Sequence, residues 1–479
     1  MKDSSVMSGP DSARKPGPTL TAVNGVQLLV SLDLCIVNVA LPDIAAGLGF
    51  ESSELSWVIH AYALTFGGLL LLGGKVADLL GHRRVLIIGL LVFALSSLLA
   101  GLATSPGVLV AARGLQGVGA AAMQPASLAV LTTTFPEGRA RARAFGIWSA
   151  VNALGAALGV VLGGVVTELA GWRWVMLLNV PVALVPLWLA WRSLPGDARV
   201  VRAKRPDVLG GALATTGMTA LVYGVVRAAD LGWTAPQTIV VLAGAALLLA
   251  LFVVVERSPH RDPLLRLGLL ANRSVTGANV INLLIGAAMA SCFYILSLYV
   301  QTVLGNSPAV AGLMFLPFAL GVIVGAVVAT GVGRHLPPRS LMLTGVPLTA
   351  VGFMWFGFMR PDGSFLVDVL GPSLVASIGF GLCLGPVVST ATRGVDDDEA
   401  GMASGLLSSA RQIGASVGLA VLGTLAQHRT GSELTAETLT AGYGLAMHVA
   451  AWLLLLGAGG ALLVLPSERA LATSTTARR

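Results

Sequence analysis

An aspartate stands inside an apolar run. The stretch Ser31-Leu32-Asp33-Leu34-Cys35-Ile36-Val37-Asn38-Val39-Ala40-Leu41-Pro42 closes a hydrophobic segment that begins near Thr19. Insertion scales put an Asp at the centre of a spanning helix at roughly 2.5–3.5 kcal/mol unfavourable, so such a residue is a functional candidate and its partner should be named. The basic residue inside the fourth apolar run is Arg113. At 1.5 Å per residue from the nearer run ends, Asp33 lies about 12 Å deep and Arg113 about 8 Å deep, in the same half. Gln116, Gly117, Ala120 and Gln124 share the helix face of Arg113. A carboxylate beside a guanidinium at this depth can carry a proton, or it can be an ion pair that only fixes helix packing.

The elements that must position this pair follow from composition. The chain has 479 residues, a mean hydropathy of +0.83 and 11% charged residues, where a soluble protein would carry about 25%. It reads as an all-α integral membrane protein. The net charge of +7 could suggest nucleic acid, but the basic residues sit in short loops between apolar runs, which topology explains better. Cys35, Cys292 and Cys383 are scattered in apolar runs and suggest neither a disulfide framework nor a metal site. No Walker loop, metal spacing or catalytic triad is present, so neither an enzyme nor a cofactor is expected. The first residues lack the pattern of a cleaved signal peptide.

Fourteen runs are long enough to span a bilayer: 19–41, 55–72, 85–104, 108–134, 145–169, 174–191, 208–226, 236–255, 275–304, 309–332, 341–359, 365–390, 402–426 and 443–465. An even number puts both termini on one side. With the termini inside, only Arg173, Arg227, Arg360 and Arg429 of the thirty Lys and Arg fall outside, and Arg113 and Arg411 lie within runs. That asymmetry makes the termini cytoplasmic. The glycines Gly155, Gly159 and Gly163 of the fifth run are echoed by Gly414 and Gly418 of the thirteenth. The loop Gly81-His82-Arg83-Arg84 is echoed by Gly333-Arg334-His335 and Arg339. Each echo falls eight helices on. The expected plan is two related six-helix bundles, 19–194 and 261–466, with a linker and two inserted helices over 195–260. Tails occupy 1–18 and 467–479. A substrate site at the midplane between such halves is a known transporter design.

Other polar residues could line that site: Asn38, His60, Tyr62, Gln116, Gln124, Asn279 and Asn282. Interhelical hydrogen bonding explains each of them equally well. Arg411 could snorkel or pair with Asp78, and Gln412 stands beside it. In the segment from Gly74 to Arg84, Gly81 permits a tight turn. Asp78 can meet a helix N-terminus, and Arg83 and Arg84 hold the loop inside. The run 396–399 is acidic and reads as a solvated lead into the thirteenth helix.

The loop Gly74-x3-Asp78-x2-Gly81-x-Arg83-Arg84 resembles the signature loop of the major facilitator superfamily. Leu32-Asp33 with Asn38-Val39-Ala40-Leu41-Pro42 is similar to the first-helix motif of its fourteen-helix drug:proton antiporter branch. The run from Arg113 to Ala120 resembles the fourth-helix motif. Gly155-x3-Gly159-Val160-x2-Gly163-Gly164 resembles the fifth-helix antiporter motif, except that the family has Pro where this chain has Val160. Gly171-Trp172-Arg173-Trp174 with Asn179-Val180-Pro181, Ala311-Gly312-Leu313 with Leu316-Pro317, and Arg411-Gln412-Ile413-Gly414 match as well. The resemblance implies a multi-pass plasma-membrane exporter of amphipathic drugs, antibiotics or toxic cations. It would be driven by a proton gradient through Asp33 and Arg113, need no cofactor or nucleic acid, and work as a monomer. Alternatives are a dedicated metabolite transporter of the same fold without proton antiport, which Val160 keeps open, and a membrane receptor or scaffold that moves nothing. With the flanking glycines in place, a proline restored at 160 is expected to be tolerated.

Overall fold

The computed structural model describes residues 16–51, 54–135, 139–194, 208–257, 268–333, 336–393, 395 and 400–465. Fourteen long helices account for most of them: α1 (Pro16–Leu48), α2 (Trp57–Leu80), α3 (His82–Gly101), α4 (Pro106–Thr134), α5 (Arg139–Ala170), α6 (Trp172–Ser193), α7 (Val208–Leu231), α8 (Pro236–Glu256), α9 (Arg273–Leu298), α10 (Pro308–Val332), α11 (Pro338–Phe356), α12 (Gly371–Ala391), α13 (Ala400–Thr430) and α14 (Ala436–Val464). A single turn at Gly268–Ala271 precedes α9, and π-turns at Tyr299–Val303 and Phe365–Leu370 extend α9 and lead into α12. The linker from 195 to 207, the acidic run 396–399, Arg334 and His335 of the loop echo, and the last tail lie outside the described residues, as does the side chain of Asp78.

Local chemistry sets the helix ends. Ser105 and Ser307 cap α4 and α10 through their side chains, each followed by a proline at the first helical positions, where its missing N–H costs nothing. Asn272 caps α9 by accepting from the Ser274 amide. Gly81, at φ 100°, joins α2 to α3 in a conformation that other residues resist.

Among the described residues, nine helices are long and apolar enough to cross a membrane, and three more carry shorter apolar stretches in α2, α5 and α7. The remaining two are α4, whose run is interrupted by Arg113, Gln116 and Gln124, and the 19-residue α11. Helices at the rim carry exposed apolar side chains, such as Leu95 on α3, Trp188 on α6, Val240 and Leu247 on α8, Val327 on α10 and Leu456 on α14. Apolar surface of that extent suits lipid. The chain is a multi-pass membrane protein.

Packing repeats along the chain. In the first six helices α1 meets α4, α5 and α6, while α3 and α4 pair, as do α2 and α4, α3 and α6, and α5 and α6. The same contacts recur among α9–α14 with every number raised by eight. The two sets touch along two main seams, α2 on α13 and α5 on α10, with lighter contacts of α1 on α9 and α10. Helices α7 and α8 pair with each other, and α7 lies on α2 and α13. There Thr215 Oγ1 donates to the Gly68 carbonyl at 2.9 Å.

Glycine makes the closest approaches possible. A Cβ at Gly155 would lie 2.9 Å from the Ser31 Cβ. At Gly159 it would lie 2.6 Å from the Leu32 carbonyl, and at Gly163 2.6 Å from the Ile36 carbonyl. The stripe on α5 therefore seats α1 along the segment that carries Asp33, as small-residue stripes do between membrane helices. Gly164 faces the other way, onto Pro308 and Ala309 of α10. Gly159→Val should push α1 from α5 and lower stability by about 1–3 kcal/mol. Gly107→Ala, at a position with open space around it, should not. The thermal midpoint of the detergent-purified protein measures both, and equal midpoints would show that the α1–α5 contact is loose.

Candidate functional site

Asp33 and Arg113 meet where α1, α4 and α6 converge. An Arg113 guanidinium nitrogen donates to the Asp33 carboxylate at 2.8 Å. The other carboxylate oxygen accepts from the Asn179 side-chain amide of α6 at 2.7 Å. The same Arg113 nitrogen lies 2.8 Å from Gln116 Oε1, and Arg113 Nε donates to the Val58 carbonyl of α2 at 3.0 Å. Gln116 in turn donates to Ser97 of α3 at 2.6 Å, and that hydroxyl donates to the Phe93 carbonyl. The guanidinium carbon stands 4.5 Å above the Tyr62 ring. Asp33 is 0% exposed and Arg113 2%, and Asn179 and Gln116 are fully buried. The cluster thus draws on five helices, α1, α2, α3, α4 and α6. Desolvating two charges is tolerated only when opposite charge and hydrogen bonds meet nearly every valence.

The structure divides the other candidate residues. Gln116 and Tyr62 both touch Arg113 of the charge pair. Tyr62 keeps an unpartnered hydroxyl. His60 is buried against the Trp57 ring with Nδ1 unpartnered. Asn38 donates to the Leu34 carbonyl of its own helix at 2.8 Å, and its backbone carbonyl accepts from Ser297 of α9 at 2.7 Å. Asn279 likewise donates to Val275, while Asn282 crosses to the Leu407 carbonyl of α13 at 2.7 Å. Arg411 makes no hydrogen bond or ion pair among the described residues, and the side chain of Asp78, one of the partners considered for it, lies outside them. Gln412 lies against Gly67 of α2, at the seam between the halves. Arg83 donates to the Trp191 carbonyl at 2.6 Å, which ties the α2–α3 loop to α6, and Gly74 adjoins Pro125 of α4. Arg84 is exposed.

A second polar cluster escaped the sequence reading. Gln27 of α1 donates to Asn152 of α5 at 2.6 Å and lies 2.9 Å from the Ser31 hydroxyl. That hydroxyl also reaches Asn152, at 2.5 Å. Gln124 of α4 donates to Gln27 at 3.4 Å. The signal was the polar stripe Asn24, Gln27, Ser31 on one face of α1, at helical spacing. Asn179 had appeared only within a motif. Its mark was a lone amide in the apolar run of α6.

Known proteins resemble this chain throughout its length. The family described as the Major Facilitator Superfamily matches residues 23–419. The cephamycin export protein of Amycolatopsis lactamdurans is 45% identical over 83% of this chain and 82% of its own. The puromycin resistance protein of Streptomyces alboniger is 39% identical over 99% and 95%. A solved structure of a proton-dependent oligopeptide transporter covers 94% of this chain and 99% of its own with a TM-score of 0.67 at 18% identity, a likeness of fold.

If the pair is structural as well as functional, Asp33→Asn should destabilise by about 3–5 kcal/mol, because it leaves a buried guanidinium without its counter-charge. Adding Arg113→Gln should recover part of that loss. A double-mutant cycle on thermal midpoints reads the coupling, and strictly additive losses would show that the two charges do not support each other. With the helix pairing, the motifs and these matches in agreement, the chain is a membrane transporter, not an enzyme, and belongs to the Major Facilitator Superfamily.

Proposed function

We propose that the protein exports amphipathic small molecules of the antibiotic class in exchange for protons. The observation that carries this is the fully buried Asp33–Arg113–Asn179 cluster, in a chain whose relatives are named for cephamycin export and puromycin resistance. A proton delivered to Asp33 removes the negative charge that holds Arg113. The five helices gathered by the cluster then lose a shared anchor. Because Asp33 is out of reach of water here, loading and release require two arrangements of the helices, each opening the site to one side. Rocking one six-helix bundle (19–194) against the other (261–466) would supply them. We take all fourteen long helices as crossings, with both termini cytoplasmic by the positive-inside rule. On that assignment the bonds Ser297 to Asn38, Gln301 to Val39 and the Ala309 amide to Glu168 all join the halves near the outer face, which supports an outward-closed arrangement.

In vesicles with an imposed pH gradient, wild-type protein should accumulate an antibiotic substrate. Asp33→Asn, present in the membrane at equal amount, should not. Wild-type accumulation ratios in the mutant would remove proton exchange at Asp33 from the scheme.

A second reading, transport of a dedicated metabolite without proton antiport, draws on Val160. Helix α5 runs unbroken from Arg139 to Ala170 with no internal proline, and Val160 is buried in the core with its carbonyl against Gly312 of α10. A proline there would clash with the Ala156 carbonyl and remove a helix bond. The tight seat of Gly159 on Leu32 leaves little room for the resulting bend. Against the tolerance expected from the flanking glycines alone, Val160→Pro should cost about 3 kcal/mol and leave protons moved per substrate unchanged. A held thermal midpoint with tighter coupling would show instead that α5 can bend as in the proline-bearing antiporters.

A further inference from the structure

The glycine contacts set up a residue-by-residue correspondence between the halves. Gly155 abuts Leu28 as Gly414 abuts Leu283, and Gly159 abuts Leu32 as Gly418 abuts Ala287. At the same spacing Asn24 corresponds to Asn279, Gln27 to Asn282 and Asn152 to Arg411. These residues lie toward the end of the bundle opposite the Ser297–Asn38 bond; Gln27 is about 16 Å along α1 from Asn38. The paired asparagines share a chemical feature, since Asn24 and Asn279 each keep a buried Oδ1 without a partner. Gln124 and Gln412, 8% and 5% exposed, each keep one buried amide atom unpartnered as well.

Toward this end of the bundle the correspondence breaks in charge at Arg411. The Asn152 Oδ1 accepts from Gln27 and Ser31, whereas Arg411, partly buried on α13, has neither a hydrogen bond nor an ion pair among the described residues. Its own helix backbone there lies against Gly286. Asp33, the acid of the first half, is occupied by Arg113 and Asn179. A guanidinium inside a span calls for water or an anion, and its planar fork suits a carboxylate.

We propose that Arg411 is the anion-binding residue of the transport path. It takes the carboxylate of an amphipathic substrate, and the unpartnered Oδ1 of Asn279, on the α9 helix that packs against α13, accepts from an N–H or O–H of that molecule. The substrate class is an organic anion with amide-type polarity, not a lipophilic cation, since no carboxylate among the described residues pairs with Arg411. The inference rests on the export reading for its physiological meaning, but the site can be tested by binding alone.

The test uses full-length protein in lipid nanodiscs and three probes: a cephamycin with its free carboxylate, the methyl ester of the same compound, and the amine puromycin. Wild-type protein should bind the carboxylate at least tenfold more tightly than the ester, a comparison that needs no mutant. Arg411→Gln should weaken carboxylate binding about tenfold or more and change ester binding by less than twofold, and Arg411→Lys should restore most of the loss. Equal binding of carboxylate and ester by the wild type, or equal losses in Arg411→Gln, would overturn the proposal. Uptake into everted vesicles separates the two readings. Arg411-dependent binding of the carboxylate without uptake would sink export and leave the anion site standing. Uptake of puromycin with no carboxylate binding would sink the anion site and leave export standing.

Discussion

A carboxylate and a guanidinium 2.8 Å apart, with hydrocarbon beyond the helices that enclose them, constrain everything nearby. Their attraction is strong in a medium of low dielectric, but so is the cost of taking each from water. The pair persists because Asn179, Gln116 and the Val58 carbonyl fill further valences and the Tyr62 ring covers the cation. Each partner comes from a different turn of the bundle. The helices must therefore hold their registers closely, and the glycine stripe of α5 helps by fixing α1 backbone to backbone just where Asp33 projects.

Asp33 and Arg113 were legible as a pair from the chain alone, because charge inside an apolar run is rare and the two lay at similar depth. The helical class was legible for the same reason, from long apolar runs. What a sequence hides is which polar residue turns toward which neighbour. Gln116 and Gln124 lie on one face of α4, yet one joins the charge pair and the other reaches Gln27. That outcome depends on how far α1 and α3 approach, which spacing does not state. Asn152 was missed because its run also held small residues and gave no sign that it would sit opposite α1. The run of α4 falls short of a spanning helix by composition because its polar side chains are met inside the protein and need not be apolar.

The halves repeat in backbone and differ in chemistry. The equivalent of Asp33 in the second half is the buried Ala288, so only one half carries the acid and its guanidinium. The second half instead pairs the buried Asp368 with Arg360 at 2.9 Å, and its Arg411 has no ion pair among the described residues. Duplicated scaffolds allow this division, because helix packing depends on small residues that both halves keep, while the few polar positions facing inward are free to diverge.

The pair α7–α8 touches only one of the two seams. It braces α2 and α13, with Leu64, Val225 and Ala420 sharing one small core and Trp57 against Tyr223. No such brace lies over the α5–α10 seam among the described residues. A greasy molecule diffusing sideways through the bilayer thus meets one shuttered wall and one bare wall. If it slips between helices before reaching the interior, the bare wall is its doorway, and the two flanks of a nearly twofold protein become a front and a back.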